Sequence, residues 1–140
     1  MHKILVIYGH ANCGKSETIN FVRELIRQDG GESTASDVRA GDQNETFLYK
    51  YQVVCICPGG DNEDIVKRNF VYASAKNADV IITASRTRGG TVEEVLRWEK
   101  ELGVKTDWIQ KSYECNLSKS TQTLCNKEFA QVVFQRVFGK

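Results

Sequence analysis

The chain is 140 residues long, enough for one domain with a layered core and too short for two independent ones. Nineteen Lys and Arg against eighteen Asp and Glu give a formal net charge of +1, so no overall charge draws it to nucleic acid or to a membrane surface. No apolar run is long enough to span a bilayer, Met1-His2-Lys3 leads into a run too short for a signal peptide, and five cysteines without C-x-x-C spacing suit neither a disulfide framework nor a zinc ribbon, so a soluble, cytoplasmic protein is expected.

In chain order, Ile4-Leu5-Val6-Ile7 is a continuous apolar run, the pattern of a strand buried on both faces of a parallel sheet. Ile19, Val22, Leu25 and Ile26 form the apolar stripe of a first helix, which Asp29-Gly30-Gly31 breaks. The span 28–51 is polar; it predicts a short strand from Asp37 to Ala40, a turn at Gly41-Asp42-Gln43-Asn44, and an antiparallel or edge strand over Thr46-Phe47-Leu48-Tyr49. Val53 to Cys57 is a second buried strand, with Cys55 and Cys57 on one face as core residues. Ile65, Val66, Phe70 and Ala73 mark a second helix, and Val80 to Ala84 a third buried strand. Val92, Val95, Leu96 and Leu102 mark a third helix, opened by a capping-box match in which Thr91 caps and Glu94 reaches back, and ended by Gly103. A weaker strand over Thr106 to Ile109 and a helix from Lys127 to Phe138 complete an α/β alternation, the signature of a parallel sheet in one domain, 1–140.

Between the first strand and the first helix the residues read Gly9-His10-Ala11-Asn12-Cys13-Gly14-Lys15-Ser16, which fits G-x-x-x-x-G-K-[ST] in the strand-loop-helix context that gives the pattern meaning. In that arrangement successive backbone N–H groups face a concave nest, and a helix beginning at Gly14 or Lys15 adds partial positive charge. Gly9 permits the sharp exit from the strand and Gly14 the close approach of a phosphate. Lys15 is the candidate bridge to the β and γ phosphates, and Ser16 the candidate magnesium ligand. Cys13 reads either as a reactive thiol at a helix N-terminus or as a small residue filling a small space.

On these residues the chain resembles the P-loop NTPase superfamily, strongly over its first 28 residues and beyond them by element order. The resemblance implies a three-layer P-loop sandwich with a mainly parallel sheet of four to five strands. It implies ATP and Mg²⁺ as ligands, held along Gly9, His10, Ala11, Asn12, Cys13, Gly14, Lys15, Ser16 and Glu17. It also implies a second acidic group near the end of a neighbouring buried strand. Asp61, which follows Val53 to Cys57, is that candidate metal-associated carboxylate beside Ser16, with capping of the next helix by Asp61 or Asn62 as its competing role. Pro58, Gly59 and Gly60 intervene, a departure from the family's apolar-run-then-Asp pattern.

The chain is further similar to small-molecule kinases of the shikimate kinase type, by which Gly59 and Gly60 would face a phosphoryl acceptor and Asp37 would orient its hydroxyl. Ala84-Ser85-Arg86-Thr87-Arg88-Gly89-Gly90-Thr91 sets two arginines before a Gly-Gly pair and a helix start, either an anion clamp or two solvated loop residues. In kinases an arginine-bearing lid holds this place in chain order. The runs PGGDN and ASRTRGGT are also similar to small bacterial and phage P-loop proteins, a likeness that names no activity. The expected function is Mg-ATP binding with phosphoryl transfer to a small-molecule acceptor or ATP hydrolysis, with Lys15, Asp37, Asp61, Arg86 and Arg88 as the catalytic set. The alternative is a slow NTPase or nucleotide-binding module that acts as a switch on a protein partner. No Asn-Lys-x-Asp guanine signature occurs, which favours ATP over GTP.

Overall fold

The first strand, β1 (Lys3–Tyr8), buries both faces, as its continuous apolar run requires: Leu5 and Ile7 enter one core layer, Ile4 and Val6 the other. The computed structural model describes residues 1–39, 42–112 and 117–139. After β1 come α1 (Lys15–Gln28), β2 (Glu32–Arg39), β3 (Asp42–Tyr49), β4 (Gln52–Cys57), α2 (Glu63–Ala75), β5 (Val80–Ser85), α3 (Gly90–Leu102), β6 (Thr106–Gln110) and α4 (Lys119–Phe138). Helices α1 and α4 pack together on one face of the sheet, and α2 and α3 on the other. No helix among the described residues is long and apolar enough to cross a membrane.

The expectation of a mainly parallel P-loop sandwich of four to five strands is corrected: the sheet has six strands in the order β2-β3-β4-β5-β1-β6 and is mixed. The pairs β4-β5, β5-β1 and β1-β6 are parallel, whereas β2-β3 and β3-β4 are antiparallel. The antiparallel or edge strand expected over Thr46 to Tyr49 is present as part of β3, which also takes in Asp42, Gln43 and Asn44 from the predicted turn; the extent of the antiparallel half was hidden for identifiable reasons. Strands β3 and β4 meet through the two-residue turn Lys50-Tyr51, both at positive φ (51° and 63°), the left-handed backbone that hairpin turns of this length need. Neither residue is the Gly, Asn or Asp that normally announces such a turn. Strand β2 lies on the sheet edge, largely exposed, so it carries no apolar alternation. Ala40 and Gly41, the end of the short predicted strand and the start of its turn, lie outside the described residues.

Strand β3 buries Asn44, Glu45 and Thr46 beside Phe47, and each polar group has a partner that the sequence separates from it. Glu45, 3% exposed, accepts from Arg23 Nη1 at 3.0 Å, from Arg27 Nη2 at 2.8 and 3.0 Å, and from Ser33 Oγ. Arg23 Nη2 also donates to Asn20 Oδ1 at 2.7 Å and to the Gln43 carbonyl at 2.6 Å. Burial pushes the Glu45 carboxyl up, but the bonds from Ser33 and Arg23 and the charges of Arg27 and Arg23 together hold it below the ordinary glutamate value. These contacts lock the hairpin onto α1.

Two further boundaries differ from expectation. Helix α4 begins at Lys119 rather than Lys127, with the Ser118 hydroxyl accepting from the Thr121 N–H at 3.2 Å. Its first two turns carry no apolar stripe because part of their polar surface faces a cleft. At α3 the capping box does not form. Gly89 occupies the N-cap, and Thr91 Oγ1 instead accepts from the Arg86 N–H at 3.0 Å. Glu94 accepts from Trp98 Nε1 at 2.8 Å and from Arg97. Gly103 closes the helix in the left-handed conformation, φ 67°.

Candidate functional site: the loop between β1 and α1

Gly9 leaves β1 with its N–H donating to the Ser85 carbonyl at 3.2 Å. A Cβ at this position would stand 2.4 Å from the Lys111 carbonyl oxygen and 2.8 Å from Cys13 Sγ, so the loop closes against the end of β6 only with glycine here. Asn12 and Gly14 both have positive φ, 62° and 89°. Helix α1 has no side-chain cap, which leaves its first N–H groups open to the cleft in front of it.

Lys15, 5% exposed, donates through Nζ to the carbonyls of Gly9 at 3.0 Å and His10 at 2.8 Å, and stands 3.9 Å from Cys13 Sγ. A second buried lysine, Lys111, donates to the Cys13 carbonyl at 3.0 Å, and burial depresses its pKa below the usual lysine value. Two ammonium groups thus brace one short loop.

Strand β1 lies between β5 and β6 rather than beside β4, and the apolar run of β5 ends in Thr83-Ala84-Ser85 without an acid. The carboxylates arrive by another route. The segment 58–62 that follows β4 crosses the end of β5 so closely that a Cβ on Gly60 would lie 2.3 Å from the Ala84 carbonyl oxygen. Asn69, buried on α2, fixes this crossing: it donates to the Gly59 carbonyl at 2.7 Å and to Thr83 Oγ1 at 3.1 Å, and accepts from Asn44 at 3.0 Å. Ser16 Oγ donates to the Pro58 carbonyl at 3.0 Å. Asn62 caps α2 through its bond from the Ile65 N–H, 3.0 Å, so the cap is not Asp61, whose exposed carboxylate lies 3.9 Å from Lys15 Nζ. Gly60→Ala is expected to displace segment 58–62 and with it Asp61. Stability should fall by about 2 kcal/mol, read by urea denaturation, because backbone rather than a flexible side chain opposes the added methyl.

A cleft of about 450 Å³ gathers Asn12, Gly14, Lys15, Ser16, Glu17 and Asp61 with Lys119, Gln122 and Asn126 of α4. Gly9 and Cys13 lie beneath the loop; Ala11 is half-buried. Arg86, Arg88, Thr87 and His10 surround a separate hollow of about 450 Å³, tied to the cleft because Arg86 Nε donates to the Asp61 carbonyl at 2.8 Å. Asp37 does not join them: it stands on edge strand β2 opposite Asn44, where its charge acts on Tyr72.

Sequence reasoning missed Asp42, Lys111 and the three α4 residues. Asp42 flanks the crossing segment, and its Oδ2 lies 2.6 Å from where a Gly59 Cβ would be. Burial, then repulsion by Asp61, raises its pKa, with Arg23 opposing. The α4 residues had a readable signal, since Lys119, Gln122 and Asn126 follow one another at helical spacing of three and four. Asn126 is nearly fully buried and donates to Glu17 Oε1 at 2.6 Å, which joins α4 to α1 at the cleft.

Among the described residues no group of three or more His, Cys, Asp or Glu is placed to hold a metal. Side-chain oxygens of Ser16, Glu17 and Asp61 line the cleft with Lys15. No protein-family model, curated protein or solved structure matches this chain.

Proposed function

We propose that the chain is a cytoplasmic P-loop enzyme of the kinase-like kind, which binds Mg-ATP on the loop 9–17 and moves its γ-phosphoryl group to an acceptor. One observation carries the reading. A nearly buried lysine lies at the mouth of an uncapped helix, folded onto the carbonyls of its own loop, with a serine hydroxyl next to it and an exposed carboxylate 3.9 Å away.

Each residue then has a definite task. The open N–H groups at the start of α1 cradle the phosphates, and Lys15 exchanges its carbonyl partners for phosphate oxygens. Ser16 and Asp61 suit magnesium, which takes one or two protein oxygens and fills its remaining positions with phosphate and water. The ion supplies charge neutralisation on the phosphates. Arg86 and Arg88 offer guanidinium groups for the phosphoryl group in transfer. Lys119 and Gln122, which line the same cleft from α4, would meet the rest of the nucleotide.

Isothermal titration of ATP, GTP and ADP, with and without Mg²⁺, tests the reading against Lys15→Ala. The intact protein is expected to bind ATP in a Mg²⁺-dependent manner, and the variant to lose about a hundredfold in affinity. Full affinity in Lys15→Ala, or no binding of any nucleotide by the intact protein, would refute it.

A further inference from the structure

The geometry points to the trough between α1 and β3 as the phosphoryl-acceptor site, with Asp42 holding the acceptor hydroxyl and an uncharged, hydroxyl-bearing ring compound as the acceptor. The inference rests on the triphosphate reading for its chemistry, and on the trough itself for its choice of ligand.

The trough holds about 600 Å³, a volume that suits a ligand of nucleoside or disaccharide size. It meets the phosphate cleft at Glu17, which lines both. From there it runs past Asn20 and Phe21 to Asp42 and Gln43, with Pro58 on its wall. Pro58 is the residue whose carbonyl holds Ser16 Oγ, so the trough opens beside the place where a γ-phosphate would be held.

Charge selects the acceptor class. The two cations on the trough are already committed: Arg23 to Glu45, Asn20 and the Gln43 carbonyl, and Arg27 to Glu24 and Glu45. Glu17, Glu24 and Asp42 add negative charge around the same space. A carboxylate or phosphate acceptor would meet more negative than positive field there, and no uncommitted guanidinium among the lining residues would receive it. An uncharged molecule meets no such penalty. The half-buried Phe21 ring supplies an apolar wall, and Asn20 and Gln43 are amides beside it.

Asp42 supplies what a hydroxyl acceptor needs. Among the described residues no donor hydrogen-bonds to its carboxylate, although Gly59 leaves room for it against the segment that carries Asp61. A hydroxyl in the trough provides that donor. In the transfer step the acceptor oxygen bonds to the γ-phosphorus as the bond from that phosphorus to the bridging oxygen breaks. The electron pair of the broken bond leaves with ADP, and the hydroxyl proton passes to the Asp42 carboxylate.

Transfer from γ-labelled ATP to a panel of ribonucleosides, deoxyribonucleosides, hexoses, hydroxy acids and nucleoside monophosphates tests the inference, together with ligand-observed NMR of the same compounds on the protein without nucleotide. Label is expected in a nucleoside or a sugar, the panel deciding which, and not in the anionic members. Asp42→Asn should lower kcat with that acceptor about a hundredfold while ATP affinity stays within about twofold. Gln43→Ala, on the exposed rim, should raise the acceptor KM with kcat unchanged. Transfer only to anionic acceptors would overturn the inference. So would an Asp42→Asn variant that loses ATP affinity as steeply as turnover, which would make Asp42 a metal ligand, or ATP binding with no uncharged compound bound or labelled. Should a neutral compound bind through Asp42 and Gln43 while ATP does not bind, the trough stands as a ligand site and only the triphosphate reading falls.

Discussion

Replacing Arg86 and Arg88 together by alanine is expected to lower turnover about a thousandfold while leaving ATP affinity within about threefold. The two side chains line the hollow beside His10, outside the cleft that holds Lys15 and Ser16, so on the proposed reading ground-state phosphate contacts would not depend on them. Arg86 nonetheless touches the backbone of Asp61, which places its loop at the border of the two spaces. A group so placed matters when charge spreads onto the transferring phosphoryl oxygens, the moment at which arginines have their largest effects. Steady-state kinetics paired with titration separates the quantities. Small, equal losses in both would show two solvated loop residues and favour the alternative of a slow nucleotide-binding switch. Equal large losses would show arginines that bind substrate rather than the transition state.

Glu45→Gln should destabilise the fold by about 3 kcal/mol, because it leaves the buried Arg23 guanidinium without its countercharge. The pH dependence has a definite sign. Because the folded-state pKa of Glu45 lies below its ordinary value of 4.5, its stabilisation is fully present above that value and is lost as pH falls through the folded-state pKa. Urea denaturation at a series of pH values should therefore show the wild-type protein converging on the variant as pH falls below 4.5 and through the lowered folded-state pKa. A variant that loses as much stability as wild type between neutral and acid pH would contradict this account. Loss of the hairpin's lock should also disturb Asp42, which opens the same strand, and thereby couple fold stability to the proposed acceptor trough.

What the sequence made legible follows from how each element is stabilised. Strands β1, β4 and β5 fall where apolar runs placed them, because strands in the middle of a covered sheet need apolar residues on both faces, and β6, at the sheet edge and only partly buried, falls on the weaker run. Hairpin β2-β3 was legible in part, as a short strand from Asp37 and an antiparallel or edge strand over Thr46 to Tyr49, but its full length from Glu32 to Tyr49 was not. Its stability comes from Glu45, Arg23, Arg27 and Ser33, and from Asn44 with Asn69, contacts between residues far apart in sequence that no periodicity encodes. The turn between β1 and α1 was readable because glycines mark its tight places: Gly9 against the end of β6 and Gly14 at positive φ. Of the two roles read for Asp61, helix capping falls to Asn62, whose side chain accepts from the Ile65 N–H. Lys111 and Asp42 were invisible, since both reach the site through the register of strands distant in the chain. Thr91 shows the reverse case: a matching cap pattern was overridden when Gly89 and Gly90 let the helix start earlier and the backbone of Arg86 took the hydroxyl.

Lys15 and Ser16 already hold three main-chain carbonyls, those of Gly9, His10 and Pro58. An entering anion therefore competes with bonds the protein has made to itself, and only the difference between old and new partners counts toward affinity. A small monovalent anion offers a single acceptor centre and cannot replace all three. A polyphosphate, with oxygens spread over successive phosphorus atoms, can satisfy the ammonium and the hydroxyl at once. On the proposed triphosphate reading, self-solvation of the loop would set a threshold that filters anions by chain length before any contact to sugar or base is made.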